Sequence, residues 1–122
     1  MVLVDTSVWV SHFRGGGEQP ALIKLLDDGA VFCHPLIIGE LACGNLKMRT
    51  MIISLLQALP VSRIAEHREI LAFIENRGLQ GKGLGYIDIH LLASAILTGI
   101  PLWTLDRKLE SCADRLKCRF KT

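Results

Sequence analysis

Four acidic side chains stand where an apolar chain would not place them for solubility. Asp5 closes Val-Leu-Val, Glu40 interrupts Ile-Ile-Gly-Glu-Leu-Ala, Asp88 opens Ile-Asp-Ile-His-Leu-Leu-Ala, and Asp106 follows Leu-Trp-Thr-Leu. Each is a carboxylate at the edge of an element expected to be buried. If those elements pack together the acids converge, and two unit charges about 4 Å apart repel by roughly 4 kcal/mol at an effective dielectric near 20. A positive partner is then required, and the i±4 neighbours of Glu40 and Asp88 are Leu36, Gly44 and Leu92 rather than bases. No thiol or imidazole accompanies the acids at ligand spacing, which leaves an all-oxygen set suited to the hard cations Mg²⁺ and Mn²⁺. The chemistry such a set would do is metal-dependent attack on a phosphate ester.

Positioning these acids needs strands that end at them and helices that follow. Val2 to Val4 is a short apolar run leading into Asp-Thr-Ser, the pattern of a buried parallel strand followed by a helix cap. Thr6 or Ser7 starts a helix carrying Val8, Trp9, Val10 and Phe13, and Gly15, Gly16 and Gly17 break it. A second helix runs from about Glu18 to Asp27 and ends at Gly29. Ala30 to Cys33 is another strand, and Pro35 opens the helix that holds Glu40 and stops at Gly44-Asn45. There Glu40 should emerge from a semi-buried stripe. Lys47 to Leu59 and Arg63 to Arg77 follow as helices, split at Pro60, with Val61 in a short strand. Gly78 to Gly85 is a loop. Ile87 to Leu97 is apolar nearly all round, as a helix buried on several sides is. Leu102 to Leu105 is a third strand, Asp106 caps the next helix, and Cys118 to Phe120 forms a last edge strand. Strands alternating with helices predict an α/β fold, a three-layer α/β/α sandwich around a central, mostly parallel sheet, in a single domain spanning 1–122. Ligands in that architecture bind beyond the carboxyl ends of the strands, where Asp5 and Asp106 fall.

The 122 residues suffice for one domain that buries about two-thirds of its unfolded surface. With 50% hydrophobic and 21% charged residues the chain is no disordered polyelectrolyte. The formal charge of +2 also rules out a polycation. From Arg107 onward, however, Arg107, Lys108, Arg115, Lys117, Arg119 and Lys121 face only Glu110 and Asp114, either a solvated edge or a contact for a phosphate backbone. Cys33, Cys43, Cys112 and Cys118 have no C-x-x-C spacing, which argues against zinc. Asp5 breaks the apolar start, so no signal peptide is expected, and free buried thiols fit a reducing cytoplasm. No apolar run approaches the ~20 residues of a membrane span.

The remaining candidates carry weaker signals. Thr6 and Thr104 lie beside acids, and their hydroxyls would orient a carboxylate or a water, or simply cap a helix. His90 is either a supporting group behind the acids or a satisfied core residue, while His12, His34 and His67 show no informative spacing. Trp9 and Trp103 are expected in the core rather than as base-stacking platforms.

Taken in order, Val-Leu-Val-Asp5-Thr6-Ser7-Val-Trp, Glu40-Leu-Ala-Cys-Gly44, Asp88-Ile-His-Leu-Leu-Ala-Ser-Ala and Thr104-Leu-Asp106-Arg-Lys-Leu resemble the four motifs of PIN-domain ribonucleases, over nearly the whole chain. The likeness is greatest to VapC-type toxins of toxin–antitoxin pairs. The resemblance implies an RNA endonuclease using Mg²⁺ or Mn²⁺, a homodimer, and a VapB-like antitoxin that blocks the site. Carried over, Asp5, Glu40 and Asp88 match the family's core acids, Asp106 its more variable fourth acid, and Thr6 and Thr104 its supporting hydroxyls. The sequence departs from many relatives in placing Asn45-Leu46 before Lys47, where a basic residue often follows the Glu-Leu-x-x-Gly motif, and in its glycine-rich approach to Asp88.

On this reading the acids hold one or two ions that activate a water in line with a phosphodiester, and Arg14, Lys47, Arg49 and Lys82 guide the RNA backbone. Two rivals stand beside it. A Mg²⁺-dependent phosphotransfer domain also gathers acids at strand ends, but usually with an acid pair or D-x-D where this chain has Asp5-Thr6-Ser7. A non-catalytic PIN-like binding module would use the acids for a structural ion alone. The helices between Lys47 and Arg77 are rich in Met48, Met51, Leu55, Ile70, Leu71 and Phe73, more apolar surface than one small core obviously needs, and so a candidate association face.

Overall fold

The computed structural model describes residues 1–14 and 19–121. Its centre is a three-stranded parallel sheet in which β1 (Val2–Val4) lies between β2 (Val31–Phe32) and β3 (Leu102–Trp103). All three residues of β1 are fully buried, because helices cover both faces of the sheet, and this is why the strand is written as an unbroken apolar run. Leu3 stands opposite Phe32 on one side and Leu102 on the other, and Val4 stands opposite Trp103. That register brings Asp5 and Thr104 out of the sheet side by side, with the Asp5 N–H donating to the Trp103 carbonyl at 2.9 Å. Single parallel bridges, Cys33 to Val61 and Leu102 to Arg119, extend the sheet at each edge.

Helices α1 (Thr6–Arg14), α3 (Pro35–Cys43) and α4 (Arg49–Gln57) pack on one another, and α6 (Tyr86–Thr98) packs on β1, β3 and α5 (His67–Arg77). Leu22 of α2 (Pro20–Asp27) and Leu109, Cys112 and Ala113 of α7 (Arg107–Arg115) close the same core, together with Trp9 and Trp103. This is the expected α/β/α arrangement. None of the described helices is long and apolar enough to cross a membrane.

Several boundaries differ from expectation. The break at Gly15–Gly17 and the start of α2 at Glu18 fall outside the described residues, and the described helix opens on Pro20 in its first turn. α4 starts at Arg49 rather than Lys47 because Met48 takes a left-handed conformation, φ 55°. α5 starts at His67 rather than Arg63. The Ser62 N–H is taken by the Cys33 carbonyl and the Arg63 N–H by the Thr98 hydroxyl, which holds this stretch extended. The Glu69 carboxylate then accepts the Glu66 N–H at 2.9 Å across the first turn of α5. β1 has the expected bounds, whereas β2 and β3 are shorter than expected, the Leu105 N–H after β3 being taken by the Ser7 hydroxyl, and Cys118–Phe120 contributes one bridge rather than a full strand.

Candidate active site

Asp5 is the buried member of the acid set, 6% exposed, and it is paired to hydroxyls and an amide rather than to a base. Its Oδ1 accepts the Thr6 N–H at 2.7 Å, and its Oδ2 accepts both the Ser7 hydroxyl at 2.8 Å and the Thr104 hydroxyl at 2.7 Å. Three donors on one carboxylate compensate for its burial. The same hydroxyls accept from the loop that follows β3: Ser7 Oγ from the Leu105 N–H at 2.9 Å, and Thr104 Oγ1 from the Asp106 N–H at 3.0 Å. Asp106 in turn caps α7, its Oδ1 accepting the Leu109 N–H at 3.0 Å.

Glu40 reaches the network from α3, where its Oε1 accepts the Thr6 hydroxyl at 2.7 Å. Its environment corrects the sequence expectation, since α3 buries Ile37 and Leu41 on the sheet side and leaves Glu40 exposed rather than in a semi-buried stripe. Asp88 lies in the first turn of α6 and accepts the Gly85 N–H at 3.0 Å. Burial pushes its carboxyl above the usual range, the Gly85 hydrogen bond opposes that, and the charges of Asp5 and Asp106 push it further up. Asp88 at the start of α6 thus feels the charges of Asp5 after β1 and Asp106 after β3, and Thr6 ties Glu40 to Asp5.

Among the described residues none of the four acids forms an ion pair; the recorded pairs are Lys24 with Asp28, Arg68 with Glu66 and Arg119 with Glu110. Nor are any three of the described His, Cys, Asp and Glu side chains grouped closely enough to hold a metal ion by themselves. An oxygen-only, mutually repelling donor set without a basic partner fits a hard divalent cation that keeps part of its water shell. It does not fit zinc. Cys33, Cys112 and Cys118 are buried free thiols and Cys43 an exposed one.

The basic residues named from sequence scatter. Arg14 and Lys47 are exposed and both line a groove of about 420 Å³ between α1 and α4, and Lys82 is exposed in the loop before α6. Arg49 is committed elsewhere, its guanidinium donating to the Ala42 carbonyl at 3.0 and 3.2 Å and fastening the α3–α4 turn. Two residues were missed. Ser7, read as a helix start, bridges Asp5 to the β3 loop, and the Asp-Thr-Ser triplet at a strand end was its signal. His34, read as uninformative, is a buried cap of α3 packed against His90. Its only sequence mark was its place just before Pro35.

Acids at the carboxyl ends of adjacent parallel strands, joined by hydroxyls and completed from two further helices, define a class by fold and by site. The PIN domain family model matches residues 2–114, and this chain belongs to the PIN-domain family. Within it the chain is VapC-like: it is 43% identical over 116 residues to the protein named Ribonuclease VapC32 in two strains of Mycobacterium tuberculosis, CDC 1551 and H37Rv, covering 93% of this chain and 92% of that protein. Two solved structures share the fold. One is PAE2754 from Pyrobaculum aerophilum, with a TM-score of 0.59 at 18% identity over 97% of this chain and 90% of that one. The other is FitAcB from Neisseria gonorrhoeae, with a TM-score of 0.60 at 19% identity over 93% and 94%.

Proposed function

We propose that this chain is a Mg²⁺- or Mn²⁺-dependent endoribonuclease, the toxin of a VapBC-type pair, acting in the cytoplasm and held in check by a VapB-like antitoxin. The observation that carries the reading is the hydroxyl network at the end of β1. Thr6 couples Asp5 to Glu40, Thr104 couples Asp5 to the Asp106 backbone, and the Asp88 carboxyl is raised first by burial and then by the charges of Asp5 and Asp106. Asp5, Glu40, Asp88 and Asp106 are the residues that would hold the cation, directly or through water. When bound, such an ion lowers the pKa of an attacking water and neutralises charge on the leaving oxygen of a phosphodiester. The chain's own contribution is orientation: Ser7, Thr6 and Thr104 fix which lone pairs of the acids remain for that ion. With Arg49 engaged by Ala42, guidance of the RNA backbone falls to Arg14, Lys47 and Lys82.

A homodimer and an antitoxin belong to the same proposal. Support for partners comes from Met48 at 66%, Leu55 at 59% and Leu71 at 53% exposure, a cost to a lone monomer. The test is cleavage of a defined structured RNA by purified protein with Mg²⁺, Mn²⁺ or EDTA, beside Asp5→Asn and Asp88→Asn. Metal-dependent cutting lost in both variants supports the reading. Folded, inhibitor-free protein that binds RNA but never cuts it moves the weight to the non-catalytic binding module.

A further inference from the structure

Among the described residues four buried side-chain polar atoms have no hydrogen-bond partner, and two of them belong to neighbouring histidines: Nε2 of His34 and Nδ1 of His90. The ring centroids are 5.9 Å apart with planes inclined at 61°. Both residues are nine-tenths buried or more, at 1% and 6% exposure. A buried polar atom left unpaired forfeits its hydration with nothing in return. Two on adjacent rings ask for one explanation.

The tautomer of His34 follows from its place in the fold. It is the N-cap of α3, and its Nδ1 accepts the Leu36 N–H at 3.0 Å. A nitrogen that accepts carries no proton, so the one proton of the neutral ring is on Nε2. The ring is neutral because burial, with His90 beside it, pushes its pKa down to about 4. Nε2 is then a donor, and its lone pair is not available to a metal. The Tyr86 ring stands edge-on to His90 with centroids 4.7 Å apart, and its hydroxyl lies 2.6 Å from Nδ1 of His67.

We propose that His34 Nε2–H donates to Nδ1 of His90 and that this imidazole–imidazole hydrogen bond positions the active site. The bond requires the rings to approach by roughly 0.7 Å or more from the 5.9 Å between their centroids, so that the nitrogens reach hydrogen-bond distance. His34 opens the helix that carries Glu40, and His90 follows Asp88 by about half a turn of α6. The bond therefore fixes α3 against α6, and through them one acid against another. Neither histidine touches the reacting groups, so both are positioning residues. The role rests on the ribonuclease reading above; the bond itself does not.

The test has two arms. In ¹⁵N-labelled protein at neutral pH, His34 should show the Nε2-protonated tautomer, a slowly exchanging ring proton, and a through-hydrogen-bond ¹⁵N–¹⁵N coupling to His90 Nδ1. An Nδ1-protonated His34, or no coupling, overturns the bond. In the second arm His34→Asn, which keeps an N-cap acceptor but loses the ring, and His90→Phe, which keeps a ring but no acceptor, are assayed with RNA. Each should lower kcat about tenfold with KM within twofold, and the double variant should lose no more than the worse single. Unchanged kcat with only a lower melting temperature, or additive losses, overturns the positioning role. Wild-type protein that shows the coupling but cuts no RNA sinks the ribonuclease reading and not the bond.

Discussion

Thr6 holds two acids at once: its backbone N–H is given to Asp5 Oδ1 and its hydroxyl to Glu40 Oε1, each at 2.7 Å. Among the described residues the latter is the one hydrogen bond between a side chain of the helix after β1 and the acid of α3. Without it, an exposed glutamate at the end of a flexible side chain has many rotamers and only one that meets Asp5. Thr6→Val keeps the shape and removes the donor, and Thr6→Ser keeps the donor. We expect RNA cleavage to fall roughly 10- to 100-fold in the valine variant, with weaker Mn²⁺ binding, and to stay near wild type in the serine variant. Equal activity in both would remove Thr6 from the machinery.

Asp88 should make the metal-free fold less stable at neutral pH. Its folded pKa is raised by burial first and by Asp5 and Asp106 next, so above that pKa the folded state bears a charge that the unfolded chain carries freely. Stability gained by protonation therefore appears as pH falls through the raised pKa toward the ordinary 3.8. Asp88→Asn keeps an acceptor for the Gly85 N–H and removes the charge. It should raise the midpoint of thermal unfolding in EDTA at pH 7 while abolishing cleavage. A lower midpoint would show that Asp88 is paired in solution.

His34 gives the opposite sign. Its pKa is about 4 in the fold against 6.5 in the unfolded chain, so between those values the unfolded chain binds more protons. Stability attributable to His34 is full above about pH 6.5, declines as pH falls toward 4, and is lost below, by up to about 3 kcal/mol. Urea unfolding at pH 7, 6, 5 and 4.5 should show this decline, and His34→Asn should flatten it. A profile unchanged by the substitution would mean that other groups carry it.

Gly83 is required by the loop that delivers Asp88. Its φ is +77°, and a Cβ there would lie 2.8 Å from Lys108 Cδ and 3.0 Å from Lys108 Nζ. Lys108 can swing away, but the backbone strain remains, so Gly83→Ala should cost about 1–2 kcal/mol in urea unfolding. Adding Lys108→Ala should recover only the steric part. Full recovery would mean that the glycine serves space rather than conformation.

The order of elements was legible because it is written in local patterns. Val2–Val4 running into Asp-Thr-Ser is strand then cap, Pro35 and Gly44 bracket α3, and the all-round apolar Ile87–Leu97 is a helix packed on several sides. Boundaries were less legible wherever a distant group set them. Nothing near Arg63 announces that Thr98 will hold its N–H, and nothing near Met48 announces a left-handed turn.

What the sequence determined by itself was the chemistry on offer: four acids in an apolar setting, hydroxyls beside two of them, and neither a base nor a metal-binding thiol or imidazole at ligand spacing. These are properties of residue type and short spacing, which survive without coordinates. The tertiary structure alone decided which of them meet. The parallel register that sets Val4 against Trp103 puts Asp5 beside Thr104, Glu40 proved exposed and meets the network through Thr6, and the ring of His34 at the start of α3 came to lie beside that of His90 in α6. The physical reason is range. Backbone preference and hydrophobic period act over a turn or a strand, whereas a hydrogen bond or a charge couples groups at a few ångströms whatever their separation along the chain.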